Sequence, residues 1–317
     1  MSNYVVTGGA GFIGSAIVRG LLREGASKVT VIDNLLTGYE KNLDEVRGPS
    51  VDFQSADIRN LEEIAPLMRG ADVVFHEAAI PSVPRSIAEP GPSHDVNING
   101  TFNVLRAASD AGVKRLVYAA SSSAYGDTLV LPKVETMMPA PKSPYALQKL
   151  TGEYYCSVFS SCFALETVSL RYFNVYGPRQ DPSSMYSGVL SLFIQCILNK
   201  TAPAIHGDGG QSRDFTYVED VVGLNLKAAR APGVSGKVFN AGNGGRITLN
   251  QVWELLQKFE NVEISPRHDP PREGDVRDSQ ADTTKAGQEL NHDPRFSFEE
   301  GLRLTLEWYR ANQTAAR

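Results

Sequence analysis

Three glycines place the first constraint on what this chain can fold into. The run Thr7-Gly8-Gly9-Ala10-Gly11-Phe12-Ile13-Gly14 spaces Gly8, Gly11 and Gly14 as G-x-x-G-x-x-G. It lies between a β-rich run, Tyr4-Val5-Val6, and an apolar stripe, Ile13, Ile17 and Leu21, at helical spacing. A strand that turns tightly into a helix needs residues without side chains where backbone meets backbone. The helix then presents its first N–H groups and a partial positive charge to a phosphate. An ordinary glycine turn would look similar, so the context matters. Asp33 closes the next β-rich run, Val29 to Ile32, where such folds place an acid for the ribose hydroxyls of adenosine. Asn34 follows, and no Arg stands next to Asp33 to meet a 2′-phosphate, which favours NAD over NADP. Asp57-Ile58, just past Val51 to Gln54, is a candidate adenine contact.

Further short apolar runs, Val73 to Phe75, Leu116 to Ala119 and Thr167 to Leu170, alternate with helical patterns near Asn97 to Asp110 and Tyr145 to Phe163. Alternation of this kind implies βαβ units and a doubly wound parallel sheet of Rossmann type, an α/β fold. Runs that are apolar throughout fit a sheet covered on both faces. After Gly177 the Pro, Gly and Ser content rises and the alternation weakens. The expected organisation is a dinucleotide-binding domain over residues 1–176, rejoined by about 215–243, where Phe215 to Val222 and Lys237 to Asn240 could return to the sheet. Residues 177–214 and 244–317 would form a smaller mixed α/β lobe.

The chain of 317 residues carries 31 basic and 36 acidic side chains, a net charge of −5, which argues against a nucleic-acid binder. No apolar run reaches the ~18 residues of a membrane span. The opening MSNYVVTGG lacks the features of a signal peptide. Cys156, Cys162 and Cys196 fit neither a disulfide framework nor a metal site. A cytoplasmic protein without a metal is expected.

Two patterns carry chemistry. Tyr145 and Lys149 form Tyr-x-x-x-Lys, and residues four apart on a helix share a face. The Lys149 ammonium would lower the pKa of the Tyr145 phenol, ordinarily near 10, and make it a base. The second pattern, Ala119-Ala120-Ser121-Ser122-Ser123-Ala124-Tyr125-Gly126, puts hydroxyls at the carboxyl end of a strand, where ligands of parallel sheets bind. Surface packing would account for the first pattern taken alone, and a polar loop with helix-capping serines for the second.

Together the glycine loop, Ser121 and Tyr145-x-x-x-Lys149 resemble the extended short-chain dehydrogenase/reductases of the sugar-nucleotide epimerase/dehydratase type. The resemblance runs from Val5 to about Trp308. It implies NAD as cofactor, held by Gly8, Gly11, Phe12, Ile13, Gly14, Asp33, Asn34, Thr37, Gly38, Asp57, Ile58, Ala78, Ala79, Asn97, Tyr145, Lys149 and Tyr172. It implies Tyr145, Lys149 and Ser121 as catalytic residues. Dehydratases of the family follow the serine with Asp-Glu; here Ser122 and Ser123 stand there, which points to epimerisation. His76 reads as structural. Glu77 departs from the neutral residue expected there, and its role is open.

The same resemblance assigns a UDP-sugar to Ser82, Ser121, Ser122, Tyr145, Asn174, Gln180, Val189, Arg213, Arg272, Asp275 and Ser279. The arginines suit a diphosphate, and Asp275 suits ribose hydroxyls. Ser279 is small at a position where a large Tyr disfavours an acetamido group at C2 of the sugar. With Ser82 to Ile87 and Arg179 to Pro182, the chain most closely resembles the bacterial UDP-N-acetylglucosamine 4-epimerases. UDP-glucose or UDP-glucuronate 4-epimerisation is the alternative. A dehydratase, or a non-catalytic NAD-sensing protein, fits less well. The resemblance also implies a homodimer formed through the helices near 97–110 and 145–163.

Overall fold

Strands with apolar side chains on both faces build the centre of the molecule. A computed structural model of the protein describes residues 2–181, 188–270 and 277–313. The first half contains β1 (Asn3–Thr7), α1 (Phe12–Arg23), β2 (Lys28–Asp33), β3 (Val51–Ser55), α2 (Leu61–Ile64), β4 (Val73–His76), α3 (Val83–Ala88) and α4 (Pro90–His94). A π-helical turn, Asp95–Gly100, leads into α5 (Thr101–Asp110), then β5 (Arg115–Ser121), α6 (Pro144–Cys162), β6 (Glu166–Tyr172) and β7 (Val175–Tyr176). The remainder contains α7 (Val189–Leu198), β8 (Ala204–His206), β9 (Ser212–Arg213), β10 (Thr216–Tyr217), α8 (Val218–Ala228) and β11 (Lys237–Ala241). It ends with β12 (Ile247–Thr248), α9 (Leu249–Glu260), β13 (Arg267–Asp269), α10 (Thr284–Leu290) and α11 (Phe298–Gln313).

Seven strands form one sheet in the order β11-β6-β5-β4-β1-β2-β3, and every neighbouring pair is parallel. Alternate side chains enter two different cores. Val29, Val31, Phe75 and Val117 pack with α1 and α8, whereas Ile32, Val74, Leu116 and Tyr118 pack with α5 and α6. This two-sided burial explains the apolar runs in the sequence. Three two-stranded pairs, β7 with β10, β8 with β13 and β9 with β12, accompany the later helices.

One expectation needs correction. Of the two segments thought able to return to the sheet, only Lys237–Ala241 does so, at its edge beside β6. Thr216–Tyr217 pairs with β7 instead, and Val218 onward is helix. Val218, Val221 and Val222 are buried apolar residues of the kind a strand also shows, but as part of α8 they pack on the sheet beside α1.

Helix α6 starts at Ser143, whose hydroxyl caps the N–H of Ala146, with Pro144 in the first turn. A buried ion pair locks it to the sheet: Arg171 on β6 grips Glu153 at 2.8 and 2.9 Å, and both side chains are at most 4% exposed. Removing one partner of such a pair strands a charge at a cost of about 3–5 kcal/mol. The arrangement fixes where the reactive face of α6 stands over the carboxyl ends of β5 and β6.

Candidate functional site

All seven parallel strands end on one edge, and Gly8, Asp33, Ala78, Ser121 and Tyr172 lie at or just past those strand ends. Gly8 has φ +69°, a left-handed conformation that favours glycine, and a Cβ on it would lie 2.6 Å from the Ala78 nitrogen. A Cβ on Gly14 would run into the Gly8 carbonyl oxygen. Gly11 is the N-cap of α1 and offers no side chain to its first N–H groups. This cradle, closed to side chains and lined by N–H donors, fits the diphosphate of a dinucleotide. Phe12 and Ile13 open the helix, half-buried.

Asp33 ends β2 almost fully buried. Its carboxylate accepts the N–H of Ala10 at 3.0 Å and of Leu35 at 2.8 Å. Burial raises its pKa, and the two N–H donors partly offset this. Gly38 packs against Ala10 and Asp33, whereas Asn34 and Thr37 are exposed. Asp57 is gripped by Arg59 at 2.7 and 3.0 Å and accepts Asn34 Nδ2 at 2.9 Å. These hydrogen bonds hold its pKa down at about 2, with Arg59 the main cause. Ile58 is buried against Gly100. Ala78 packs against Gly8, and both Ala78 and Ala79 are half-buried.

The reactive group forms where β5 meets α6. Lys149 is buried, with Nζ 2.8 Å from the Ala119 carbonyl and 5.1 Å from the centre of the Tyr118 ring. Burial lowers its pKa to about 8. Tyr145 stands one turn earlier, its N–H held by Ser86 Oγ at 3.1 Å. Burial raises the pKa of its phenol, a hydrogen bond with Ser121 counters this, and the charge of Glu77 adds to the rise. The hydrogen bond from Ser121 thus lowers the pKa of a phenol that burial raises overall, and Lys149, the cation that the spacing suggested for this role, is held at the Ala119 carbonyl one turn away. Ser123, which the sequence reading did not assign, donates its hydroxyl and its N–H to Ser121 Oγ at 2.8 and 3.2 Å. Ser121 is thereby left to donate its own proton forward. The serine run itself was the signal for Ser123. Ser122 is half-buried beside them.

Two residues are engaged differently from expectation. Asn97 is buried in the π-helical turn, where it accepts the Ile80 N–H at 2.8 Å and donates to Gln148 Oε1 at 2.9 Å. It therefore shapes the loop after β4 through Ile80 instead of pointing into the cleft. Ser82 is the N-cap of α3, accepting the Arg85 N–H at 3.1 Å, and keeps a hydroxyl proton to donate.

His76 is fully buried, with Nδ1 2.7 Å from Thr7 Oγ1 and Nε2 3.0 Å from Thr101 Oγ1. Thr101 gives its proton to the Asn97 carbonyl, so it accepts from Nε2–H of His76. Burial, helped by the Lys149 charge, drops its pKa to about 3. The neighbouring Glu77 accepts the Tyr172 hydroxyl at 2.9 Å, and Asn225 on α8 donates to that hydroxyl at 2.8 Å. The signal for Asn225 is an amide within an otherwise apolar helix face.

On the lobe side, Asn174 Nδ2 lies 3.3 Å from Ser279 Oγ and 3.0 Å from the Asp214 carbonyl. Gln180 points its amide at the Val175 carbonyl, 3.3 Å away. Val189 begins α7, half-buried. Arg213 Nη1 donates to the Ser212 and Arg277 carbonyls at 2.9 Å each. Arg272 and Asp275 lie outside the described residues. Asp214 anchors the lobe, accepting N–H groups of Asn243, Gly244 and Ala281 at 2.8 to 3.0 Å. Across the mouth, Arg179 pairs with Glu45 at 2.6 Å and Tyr39 donates to Asp181 at 2.7 Å. Among the described residues no cluster of His, Cys, Asp and Glu could hold a metal, and no helix is long and apolar enough to cross a membrane.

A sequence model of the NAD dependent epimerase/dehydratase family matches residues 4–242. A putative UDP-glucose 4-epimerase of Methanocaldococcus jannaschii is 36% identical over 310 residues, 97% of this chain and 98% of that protein. The solved UDP-glucose 4-epimerase of Thermotoga maritima, with UDP-glucose, superposes with a TM-score of 0.93 at 39% identity, covering 98% of this chain and 99% of that one. The UDP-N-acetylglucosamine 4-epimerase of Methanobrevibacter ruminantium M1, in complex with UDP-N-acetylmuramic acid, superposes with a TM-score of 0.94 at 36% identity, with coverage of 98% and 99%.

Two outcomes follow from this geometry. Gly14→Ala should weaken dinucleotide binding by at least about tenfold, since the phosphate turn has no room for a methyl group. Gly223→Ala, where a Cβ meets open space, should leave binding unchanged. Equal affinity of both variants and the wild type, by calorimetric titration, would contradict the cradle. For His76, the fold favours the neutral ring, so its stabilisation is complete above about pH 6.5 and is lost as pH falls toward 3. The wild type should therefore lose about 3 kcal/mol more than His76→Gln between about pH 7 and pH 4, measured by urea unfolding. Parallel losses would mean that His76 titrates normally.

Proposed function

The chain belongs to the NAD dependent epimerase/dehydratase family, and on that premise we propose that it inverts C4 of a UDP-hexose, interconverting UDP-N-acetylglucosamine and UDP-N-acetylgalactosamine. NAD is the family's cofactor, and it supplies a reversible hydride acceptor for C4 of the sugar. Gly8, Gly11 and Gly14 would hold its diphosphate and Asp33 its adenosine ribose.

The observation that carries the reading is the hydroxyl chain Ser123–Ser121–Tyr145. Loss of water from the sugar needs an acid to protonate the leaving hydroxyl. The positions after Ser121 hold only hydroxyls, and the nearby acid, Glu77, is turned toward Tyr172. What this set can do is take the C4 hydroxyl proton, hold it on Tyr145 and return it. Ser121 orients that hydroxyl. Lys149, fixed by the Ala119 carbonyl, adds positive charge beside the reacting atoms. Removal and return at opposite faces of C4 is epimerisation.

The sugar preference rests on Ser279. It is small, and it touches Asn174 across the lobe side of the cleft. That leaves room for an acetamido group. The same space admits UDP-glucose, the ligand of the Thermotoga maritima structure, which is the second reading. A homodimer would form through α5 and α6. Leu147, Tyr154 and Val158 fall on one face of α6, 48–59% exposed, beside Phe102 on α5.

Purified protein given UDP-N-acetylglucosamine and no added NAD should form UDP-N-acetylgalactosamine, seen in the anomeric proton NMR signals. Tyr145→Phe should lower kcat at least about a thousandfold and keep its bound NAD. Turnover of UDP-glucose alone would discard the acetamido preference, and full activity of Tyr145→Phe would discard the base. Sedimentation of the protein at twice the chain mass, reverting to the chain mass in a Leu147→Glu/Val158→Glu variant, would support the dimer; a monomeric wild type would refute it.

A further inference from the structure

Glu77 is an acid that none of these steps uses, and its placement is unusual. Its backbone abuts the first glycine of the phosphate loop, since a Cβ on Gly8 would lie 2.9 Å from the Glu77 carbonyl carbon. Its carboxyl accepts a single hydrogen bond among the described residues, from Tyr172 to Oε1. Tyr172 is held in turn by Asn225 on α8, which also donates to the Val221 carbonyl. The fold thus aims Glu77, just past the end of β4, with a relay through β6 and α8.

The titratable groups that face Glu77 are Lys149 and Tyr145 on α6 and Tyr172 on β6, with the neutral His76 beside it on β4. Lys149 is the cation among them, and it is tied to the Ala119 carbonyl. A dinucleotide laid from the glycine loop toward Tyr145 and Lys149 must pass Glu77 with its nicotinamide half. Oxidised nicotinamide is a cation and the reduced ring is neutral. A fixed carboxylate at this place distinguishes the two by one charge.

We propose that Glu77, aimed by Tyr172 and Asn225, is a positioning residue that sets the redox poise of the resident NAD, holding it toward the oxidised form. Hydride transfer from the sugar oxidises C4 to a ketone and reduces the nicotinamide by two electrons, while the hydroxyl proton goes to Tyr145. Glu77 opposes that first half and favours the second, in which hydride returns to C4 and the nicotinamide regains its charge. The keto sugar is then kept scarce, and the cofactor is not stranded in its reduced form. Burial of the carboxyl raises its pKa to about 7, so the oxidised ring's charge also helps keep it ionised. The inference rests on NAD being held between the glycine loop and Tyr145–Lys149, as in the reading above.

The test needs no sugar, so its failure is separable from failure of the epimerase reading. Purified protein is equilibrated with fixed mixtures of NAD and NADH and freed of excess by gel filtration. The bound ratio is then read from the dihydronicotinamide absorbance. Glu77→Gln, of equal size, and Glu77→Ala should each shift the bound ratio toward NADH by about tenfold or more relative to wild type. Glu77→Asp, which keeps the charge, should stay near wild type. An unchanged ratio in both neutral variants, or equal weakening of both forms of the cofactor, would overturn the proposal. So would a shift in Glu77→Asp as large as in Glu77→Gln.

Discussion

The site depends on seven strands running the same way. A parallel sheet sends the carboxyl ends of its strands to one edge, so segments far apart in sequence finish side by side. Gly8 leaves β1 against Ala78, which leaves β4. Ala119 and Ser121 finish β5, and Tyr172 finishes β6. Each of these positions belongs to the proposed site. The close approach of the β1 and β4 exits is what requires a glycine at position 8, because a Cβ there would run into the backbone of Glu77 and Ala78.

Burial then determines how the ionisable groups behave. Lys149, Glu77, Arg171 and Asp214 each sit where charge is costly, and each has a specific partner. The Arg171–Glu153 pair is structural and holds α6 at a fixed depth. Lys149, one turn from Glu153 on that helix, inherits its position from that pair. Glu77 and Lys149 are opposite charges placed within each other's field, yet each is held by a neutral group, a tyrosine hydroxyl and a backbone carbonyl respectively. The arrangement keeps both charges in place without joining them in a direct ion pair among the described residues.

The local parts of this design are legible in the sequence. The glycine loop, the Asp33 strand end and Tyr145-x-x-x-Lys149 each need only a short window and a known period, and the strands they sit on announce themselves as apolar runs. What was not legible depends on long-range contact. Glu77 meets Tyr172 across a separation of 95 residues, and no spacing rule reaches that far. Asn97 and Ser82 carry polar side chains that suit a ligand as well as a backbone, and only the folded loop after β4 shows that Ile80 and Arg85 engage them. Phe215 to Val222 misleads for a related reason, since from Val218 onward it is helix. A short helix buried on the sheet and a buried strand can share the same apolar composition.

The central claim is that this edge holds a proton on Tyr145 and lets hydride leave C4 and return to the same sugar. A crossover experiment tests it directly. UDP-N-acetylglucosamine deuterated at C4 is mixed with unlabelled UDP-glucose in ordinary water, or with a second isotopologue if only one sugar turns over, and the products are weighed by mass spectrometry. The account predicts that deuterium stays with the molecules that brought it, at C4, through many turnovers. Loss of deuterium to water, or its appearance in the unlabelled partner, would contradict it.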